Sequence, residues 1–278
     1  MNYRIVLIVV LLVIANKEMK AQNINIASYN IRYDNKNDSG NLWADRLPKI
    51  VSLIQYHDFD IIGLQESLYH QLKGLKKELD EFEYYGIGRD DGIVAGEFSA
   101  ILFKKSKFEV IDKGNFWLSA SPDTPSKGWD ANIKRICTWV KLKENQQGKT
   151  FFVFNVHFDH EGYTARRESS KLILQKIKAI ALNSPVVLTG DFNGDHDSDW
   201  YKTIQASPTL KDAYFLVPKP YALNGSFNAF NASAIKSGVI DHIFVTDHFK
   251  VTKYGLLTDS YFGKYPSDHF PVVIAVRM

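Results

Sequence analysis

From Asn23 onward, short runs of β-branched and aromatic residues alternate with longer runs whose apolar residues recur at helical spacing. The short runs predict strands near residues 24–29, 61–64, 98–104, 107–112, 135–142, 150–156, 186–188, 239–245, 250–257 and 270–276. The longer runs predict helices at 47–54, 68–82, 165–182 and 198–206. No proline- or serine-rich linker interrupts this alternation, so residues 22–278 are expected to form a single α/β domain.

Two strand–helix–strand units carry polar residues at the ends of both their strands. In the first, Asn30 ends one strand and Glu66 follows the next, 36 residues later. In the second, His157 and Asp191 are 34 residues apart. Parallel strands joined by a helix end on the same rim of a sheet, so each unit is expected to present one neutral polar side chain and one carboxylate there. Strand–helix–strand units of similar length are common in unrelated α/β proteins, so the spacing alone is weak evidence for a shared site. The polar residues at all four strand ends are stronger evidence.

The N-terminal segment has the pattern of a secretory signal. Arg4 precedes an apolar run at 5–15, and a short polar segment leads to Ala21, after which cleavage would leave Gln22 as the first residue. The apolar run is shorter than the ~20 residues that a membrane-spanning helix needs, which disfavours a retained anchor. We therefore expect a secreted or periplasmic protein with no stable membrane anchor.

Composition and charge narrow the choice of partner only after the leader is removed. The 278 residues carry a net charge of +3, which falls to +1 without residues 1–21. A nuclease normally needs a positive track along the nucleic-acid backbone, and a nearly neutral chain offers none in bulk. The single cysteine, Cys137, excludes an internal disulfide, so stability must come from an extensive core.

Two short motifs place carboxylates beside amide or imidazole groups. Asp191 and Asn193 follow a hydrophobic strand and Gly190, and can point at one bound water or phosphate, although Gly-Asp also forms ordinary turns. In Ser267-Asp268-His269, neighbouring side chains of an extended segment face opposite sides, which excludes a contiguous hydrolase triad. Asp241 lies in an apolar strand, where a buried carboxylate needs a partner such as an imidazole.

The segment from Asn155 to His160 admits a second interpretation. It resembles the HxHxDH signature of the metallo-β-lactamase fold, but Asn155 replaces the first histidine and removes a zinc ligand. The Gly190-Asp191 pair similarly resembles a motif of calcineurin-like phosphoesterases, but Gly194 stands where that motif has its second Asp. Both dimetal ligand sets are therefore incomplete. The remaining histidines lie in polar contexts and are expected to be solvated: His57, His70, His196 and His248.

Six motifs taken in order resemble the endonuclease/exonuclease/phosphatase family. They span residues 24–276, and their order is far more specific than any one of them. The resemblance implies a four-layer α/β sandwich in which two mixed β-sheets pack face to face with helices outside, and a site at one rim of the sheets. The motifs are Tyr29-Asn30-Ile31-Arg32, Leu64-Gln65-Glu66, Asn155-Val156-His157, Gly190-Asp191-Phe192-Asn193, Ile240-Asp241 and Ser267-Asp268-His269-Phe270-Pro271.

The same resemblance implies a metal site and a set of catalytic residues. Glu66 looks like the principal metal carboxylate, with Asn30 and Asp268 completing the metal and phosphate environment. Oxygen ligands of this kind favour Mg²⁺ or Mn²⁺, with Ca²⁺ as an alternative. Asp191 and Asn193 look like the residues that orient the attacking water and the phosphate oxygens. The family pattern also implies that His269 pairs with Asp241, while His157 is the second histidine on the phosphate.

Three further assignments depend on shorter matches. Glu97 stands where the deoxyribonuclease branch has a Glu that pairs with the second histidine, and Arg135 resembles a phosphate-contacting arginine. Segments around Arg89 and within the loop at 113–132 are not shared with the well-known nuclease branches. Either Trp117 and Trp129 pack that loop against the sandwich, or it forms a lid in which Arg89 and Lys127 hold phosphate and a tryptophan stacks on the substrate.

These residues predict a hydrolase that cleaves a phosphoester by direct attack of a metal- and Asp-activated water. Near-neutrality favours a small or terminal phosphoester, such as a sugar phosphate or nucleotide. A nuclease acting on DNA or RNA is the alternative, and a phospholigand-binding module without catalysis is a third. The oligomeric state is left open.

Overall fold

The protein is described by a computed structural model that covers residues 23–221 and 224–278. The expected leader at 1–21 lies outside this range. Two mixed six-stranded sheets pack face to face. The first has the order β11 (Lys250–Leu256), β12 (Val272–Arg277), β1 (Ile24–Asn30), β2 (Ile61–Gln65), β4 (Ile101–Lys104) and β3 (Phe82–Tyr85). The second has the order β5 (Phe108–Trp117), β6 (Ile136–Glu144), β7 (Thr150–His157), β8 (Val186–Asp191), β10 (Asp241–Val245) and β9 (Lys211–Asp212).

Helices cover the outer face of each sheet and complete the four layers. The first sheet is covered by α1 (Trp43–Tyr56) and α2 (Tyr69–Glu78), and the second by α3 (Tyr163–Ala181) and α4 (Asp199–Gln205). Alternating residues of a strand therefore serve different cores. Ile26 packs between the sheets while Ala27 faces the α1–α2 layer, as the two-residue period of a strand requires. No helix within the described residues is long and apolar enough to cross a membrane.

The two sheets lie close together at Gly63. Gly63 in β2 lies against Thr189 and Asn155 of the second sheet, where an added Cβ would collide with both side chains. Asn155 is fully buried; its amide donates to the carbonyls of Leu64 and Ala100, at 2.8 and 2.9 Å. Asn155, which replaces the first histidine of the HxHxDH zinc motif, thus links the two sheets by hydrogen bonds.

The predicted elements differ from the structure mainly in short edge strands. The second helix ends at Glu78, and Phe82–Tyr85 instead pairs with β4 as an edge strand. The strand predicted at 107–112 continues to Trp117 because it pairs with β6 along that whole length. Residues 211–212 form a strand that sequence patterning does not predict, since two residues carry no periodicity.

Candidate active site

The four strand ends predicted to carry polar residues meet at one rim of the sandwich. β1 runs parallel to β2, and β7 runs parallel to β8, with His157 in register with Asp191. β10 runs antiparallel to β8, so Asp241 at its start lies opposite Asp191. A cavity of about 680 Å³ opens at this rim, and its wall includes Glu66, Asp268, His269, Asp191, Asn193, His157, Glu97 and Arg135.

Three residues of the rim loops hold left-handed backbone conformations that side chains with a Cβ rarely adopt. Glu66 has φ of 61°, Arg32 of 56° and Asn193 of 46°. Such conformations cost of order 1–3 kcal/mol each and persist where the surroundings enforce them. The loops therefore turn sharply after β1, β2 and β8, which directs their side chains into the cavity.

Asn30 joins the two halves of the rim. Its fully buried amide nitrogen donates to Glu66 Oε1 and to Asp191 Oδ2, both at 3.0 Å, and its carbonyl oxygen accepts from the backbone N–H of Arg32. One amide thus fixes a carboxylate from each sheet. The side chain lies behind the cavity wall, so its role here is to position Glu66 and Asp191.

Glu66 and Asp268 form a carboxylate pair that attracts positive charge. The guanidinium of Arg32 lies between them, 3.8 Å from Glu66 Oε2 and 3.7 Å from Asp268 Oδ2. Burial raises the pKa of Asp268 to about 6, and the negative charge of Glu66 adds to the rise despite nearby His269. Both observations indicate that the carboxylates need more positive charge than the described residues supply.

The donor set at this position fits a hard divalent cation. Glu66 and Asp268 supply carboxylate oxygens on the cavity wall, and the amide of Asn30 orients Glu66. Oxygen ligands suit Mg²⁺ or Mn²⁺. These residues would hold the ion, which would neutralise phosphate charge and lower the pKa of a bound water.

His269 and Asp241 form a buried imidazole–carboxylate pair. His269 Nδ1 lies 2.8 Å from Asp241 Oδ2, and its Nε2 lies 3.7 Å from Asp191 Oδ2. Burial opposes a charged imidazole, but Asp241 and Asp191 outweigh it and raise the pKa of His269 well above its usual value. The two carboxylates thus favour the protonated imidazole, which presents an N–H toward the cavity.

Asp191 lies at the centre of the rim. Its Oδ1 accepts from the backbone N–H of Asn193 at 2.9 Å, while its Oδ2 accepts from Asn30. Burial raises the pKa of Asp191 to about 7, and the charge of Asp241 raises it further against the opposing effect of His269. A carboxylate with this pKa can take a proton from water near neutral pH.

His157 and Arg135 form the opposite wall. Burial lowers the pKa of His157 well below its usual value, and the neighbouring Arg135 and Arg89 lower it further. Asn193 Nδ2 lies 3.2 Å from His157 Nε2, and Asp191 Oδ2 lies 3.4 Å from the same nitrogen. Arg135 is only 4% exposed, and its Nε and Nη1 have no hydrogen-bond partner within the described part of the chain. A buried guanidinium with free donors on the cavity wall fits an anionic group.

The expected pairing of Glu97 with His157 is wrong. Glu97 accepts two hydrogen bonds from Arg89, at 2.6 and 2.9 Å, and His157 Nδ1 has no partner among the residues described. Arg89 is not on the wall of the large cavity. It lines a small adjoining pocket with Glu97, Arg135 and His157. Arg89 and Glu97 are close in sequence, and the turn between them brings a planar guanidinium onto a planar carboxylate.

The loop at 113–132 takes neither of its two expected forms completely. Trp117 is 5% exposed and donates from its indole to the carbonyl of Arg89, so it packs as the structural interpretation expects. Trp129 is 41% exposed, and Lys127 is exposed and away from the cavity wall. A phosphate grip by Arg89 and Lys127 is therefore excluded in this conformation.

A segment without predicted elements completes the site. Ser226 Oγ accepts from the backbone N–H groups of Ile240 and Asp241, and Asn228 donates to the carbonyl of Ser267. The ring of Phe227 packs edge-on against His269, with centroids 5.1 Å apart. Alternating Gly, Ser, Asn and Phe gave no periodic pattern, so sequence reasoning missed this support.

Arg46 in α1 is a second support that the sequence did not reveal. Its side chain is 1% exposed and donates to the carbonyls of Ile31, Arg32 and Pro266, among others. Arg46 therefore connects the loop that follows β1 to the segment that precedes Asp268. A charged residue on a helix normally predicts a solvated face, which explains why it was overlooked.

Comparisons with known proteins agree with this arrangement. The model of the Endonuclease/Exonuclease/phosphatase family matches residues 27–269. The mannosyl-6-phosphatase Bt3783 of Bacteroides thetaiotaomicron is similar in structure, with a TM-score of 0.90 and 45% sequence identity over 92% of this chain and 100% of that chain. TDP2 from D. rerio, complexed with a single-strand DNA product, shares the fold at a TM-score of 0.74 and 18% identity, over 92% of this chain and 99% of that one. An uncharacterised protein of Acanthamoeba polyphaga mimivirus is 29% identical over 84% of this chain and 91% of its own length.

The fold and the rim cluster define a phosphoric ester hydrolase. The chain belongs to the endonuclease/exonuclease/phosphatase family. Enzymes of this family use divalent metal ions, and the acidic and histidine groups at the rim are suited to bind one.

Proposed function

We propose that this enzyme removes phosphate from a phosphorylated sugar, with the phosphate carried on a primary hydroxyl as in a sugar 6-phosphate. The observation that carries the proposal is the 45% identity to a mannosyl-6-phosphatase over nearly the whole chain. The shape of the site supports it. A cavity of about 680 Å³ with Phe227 and Phe230 on its wall has the size of a small-molecule pocket.

Residues on two opposite walls of the cavity take different parts in the proposed reaction. On one side, the free donors of Arg135 hydrogen-bond the phosphate oxygens, and the amide of Asn193 donates to His157 Nε2 and so orients that ring beside them. On the other, the His269 imidazolium presents Nε2 to the phosphate, with its charge held by Asp241. Asp191 faces both and takes the proton of the water that attacks phosphorus. Glu66 and Asp268 would hold the divalent cation, which would neutralise charge on the phosphate. As the phosphorus–oxygen bond to the sugar breaks, the His269 imidazolium gives its Nε2 proton to the sugar oxygen, which leaves as a hydroxyl. The imidazole then regains a proton from the protonated Asp191, whose Oδ2 lies 3.7 Å away.

The test is a substrate panel with the purified enzyme in Mg²⁺ and then in Mn²⁺. It compares mannose 6-phosphate, mannose 1-phosphate, an aryl phosphate, plasmid DNA and RNA. We expect kcat/KM for the sugar 6-phosphate to exceed that of the other compounds by at least ~10-fold. Preferred cleavage of DNA or RNA would establish the nuclease alternative. Binding of sugar phosphate without turnover would establish a binding module.

Two variants make this panel decisive. Glu66→Gln keeps the side-chain shape and removes one metal carboxylate, so it should abolish turnover in both metals while the fold is retained. His57→Ala removes an imidazole that lies 3.3 Å from Asp259 outside the site, so it should leave kcat/KM unchanged. Full activity of the wild-type enzyme in EDTA would contradict the metal requirement.

We also propose that the mature enzyme starts near Gln22 and acts in the periplasm or outside the cell. The pattern of Arg4, the apolar run at 5–15 and Ala21 supports this location. Mass spectrometry of the protein expressed with its own N-terminus tests it. A mature mass that begins at Gln22 is expected, and an intact Met1 in the cell interior would contradict it.

A further inference from the structure

A second cluster of metal-ligating side chains lies on the side of β10 that faces away from the catalytic rim. His242 follows Asp241 in β10 and points into the layer beneath α4, as alternation along a strand requires. Asp212 comes from β9, and His196 comes from the loop between β8 and α4. His242 and Asp212 are each about 1% exposed, whereas the side chain of His196 is 30% exposed. His196 was expected from its sequence context to be solvated, and it instead closes this cluster.

The distances within the cluster are longer than good hydrogen bonds. His242 Nδ1 lies 3.4 Å from Asp212 Oδ2, and His196 Nε2 lies 3.5 Å from the same oxygen. Both ring nitrogens are buried and have no hydrogen-bond partner among residues 23–221 and 224–278. The three ligand atoms all lie within 4.8 Å of one another. The cluster therefore brings three ligand atoms around one point without joining them directly.

The hydrogen bonds around the cluster set the state of each ligand. His242 Nε2 lies 2.9 Å from the carbonyl of Gly194 and must donate to it, which leaves the lone pair of a neutral imidazole on Nδ1. That lone pair faces the carboxylate of Asp212, an arrangement that repels unless a cation or a proton lies between them. Tyr201 donates to Asp212 Oδ2 at 2.7 Å, and the backbone N–H of Tyr214 donates to Oδ1 at 2.8 Å. These contacts orient the metal ligands from outside, as is usual for metal sites.

We propose that His196, Asp212 and His242 bind a zinc ion that is distinct from the catalytic metal. Zinc bonds to nitrogen and oxygen ligands of about 2.0–2.1 Å place neighbouring ligands roughly 3.3–3.4 Å apart in a tetrahedron. The observed 3.4 and 3.5 Å match that edge length. Two imidazoles and one carboxylate favour zinc over Mg²⁺, which prefers oxygen ligands.

The proposed ion links segments that also carry catalytic residues. His196 lies three residues after Asn193, and His242 is the neighbour of Asp241. A cation held there fixes the loop after β8 against the start of β10. It thus acts as a structural ion behind the active site, and its loss loosens the support of Asn193 and Asp241 without removing a group that touches substrate.

The experiment measures Zn²⁺ binding in a protein whose catalytic metal site is disabled. Metal-free Glu66→Gln protein is titrated with Zn²⁺ by calorimetry, and with Co²⁺ by visible absorption, because tetrahedral Co²⁺ absorbs far more strongly than octahedral Co²⁺. We expect one equivalent of Zn²⁺ to bind, an intense tetrahedral Co²⁺ spectrum that Zn²⁺ abolishes, and a rise in Tm of several degrees on Zn²⁺ addition. Absence of binding in this folded protein would overturn the proposal.

Matched second variants locate the ion. Adding His196→Ala should lower Zn²⁺ affinity by at least 100-fold, consistent with the loss of one ligand, and should remove the rise in Tm. Adding His57→Ala instead should change neither, since His57 and Asp259 lie 3.3 Å apart and no described residue adds a third ligand of the kind found beside Asp212. If His196→Ala binds Zn²⁺ as well as its parent, the ion lies elsewhere and the three residues are an imidazole–carboxylate cluster only.

Discussion

The two faces of β10 carry imidazole–carboxylate clusters that differ in one measurable way. Toward the rim, Asp241 lies at hydrogen-bond distance from His269, 2.8 Å. On the opposite face, His242 lies 3.4 Å from Asp212 and its nearer nitrogen has no hydrogen-bond partner within the described chain. The same residue types, one position apart in the chain, are thus arranged for different chemistry. The short pair shares a proton and holds charge, and the wider group leaves its two nearer ring nitrogens without a hydrogen-bond partner among the described residues.

This difference shows why residue identity alone does not assign a role to a histidine. A carboxylate beside a hydrogen-bonded imidazole raises the pKa of that imidazole, as it does for His269. In a neutral imidazole whose Nε2 donates to a backbone carbonyl, as in His242, the remaining Nδ1 carries a lone pair. The first arrangement suits proton and charge handling, and the second suits metal ligation.

The largest expected effect comes from breaking the rim pair. His269→Ala removes the imidazolium that faces the phosphate, and we expect kcat/KM to fall on the order of 10³-fold. The free energy of unfolding should also fall, because Asp241 is left buried without its partner, whereas the Zn²⁺ response should change little, because the other cluster is untouched. Steady-state kinetics and calorimetry check this. A loss of less than ~10-fold would remove His269 from the reaction.

A smaller effect is expected when the charge behind His269 is removed. Asp241 is the largest cause that raises the pKa of His269, so Asp241→Asn should lower that pKa. We expect kcat/KM to fall about 10²-fold and the alkaline limb of its pH profile to move to lower pH by about one unit or more. The sign follows because His269 must be protonated, and a lower pKa makes it lose its proton earlier as pH rises. An unchanged alkaline limb would show that another group sets it.

The same pair has a consequence for stability against pH. A histidine whose folded pKa is raised contributes stability that is fully present below its unfolded pKa. That contribution is lost as pH rises through the raised folded value. Wild-type and Asp241→Asn proteins should therefore differ most in urea midpoint at mildly acidic pH and converge at alkaline pH, which denaturation at a series of pH values measures.

A smaller loss of activity is expected when the aromatic ring that packs on His269 is removed. Phe227 is 40% exposed and contacts the imidazole edge-on. Phe227→Ala should reduce kcat/KM by about 5-fold, since an aromatic contact contributes roughly 0.5–1.5 kcal/mol beyond its area. Phe215→Ala is a matched control, because Phe215 is also exposed and its ring packs on His196 of the opposite cluster. Equal losses of activity in the two variants would indicate an effect on folding.

Local signals in the sequence predicted the rim, whereas the four-layer sandwich was implied by the resemblance to the family. Strand periodicity and the polar residue at each strand end place Asn30, Glu66, His157 and Asp191 correctly on one rim. The order of the six motifs indicated the family, and membership of the family implied the fold. These features need no knowledge of which side chains meet across the structure.

The remainder depended on long-range packing, which periodicity does not encode. Glu97 was expected to pair with His157, but Arg89 satisfies it through the turn between residues 89 and 97. The buried Arg46 donates to the carbonyl of Pro266, which is 220 positions away in the sequence. Asn228 donates to the carbonyl of Ser267, which is 39 positions away. The role of His196 likewise needed the short strand β9, whose two residues give no sequence signal.

The smallest expected effect tests the outer support of the second cluster. Tyr201 is 2% exposed and donates to Asp212, so Tyr201→Phe removes one buried hydrogen bond and keeps the ring packing. We expect the free energy of unfolding to fall by about 1 kcal/mol with kcat/KM unchanged within roughly twofold. Tyr163→Phe is the matched control, since Tyr163 donates to Asp199 at an exposed position and should cost less. Urea denaturation and kinetics of both variants measure this. A loss of activity in Tyr201→Phe as large as that in Asp241→Asn would show that the two faces of β10 do not act separately, because the outer hydrogen bond would then control the rim.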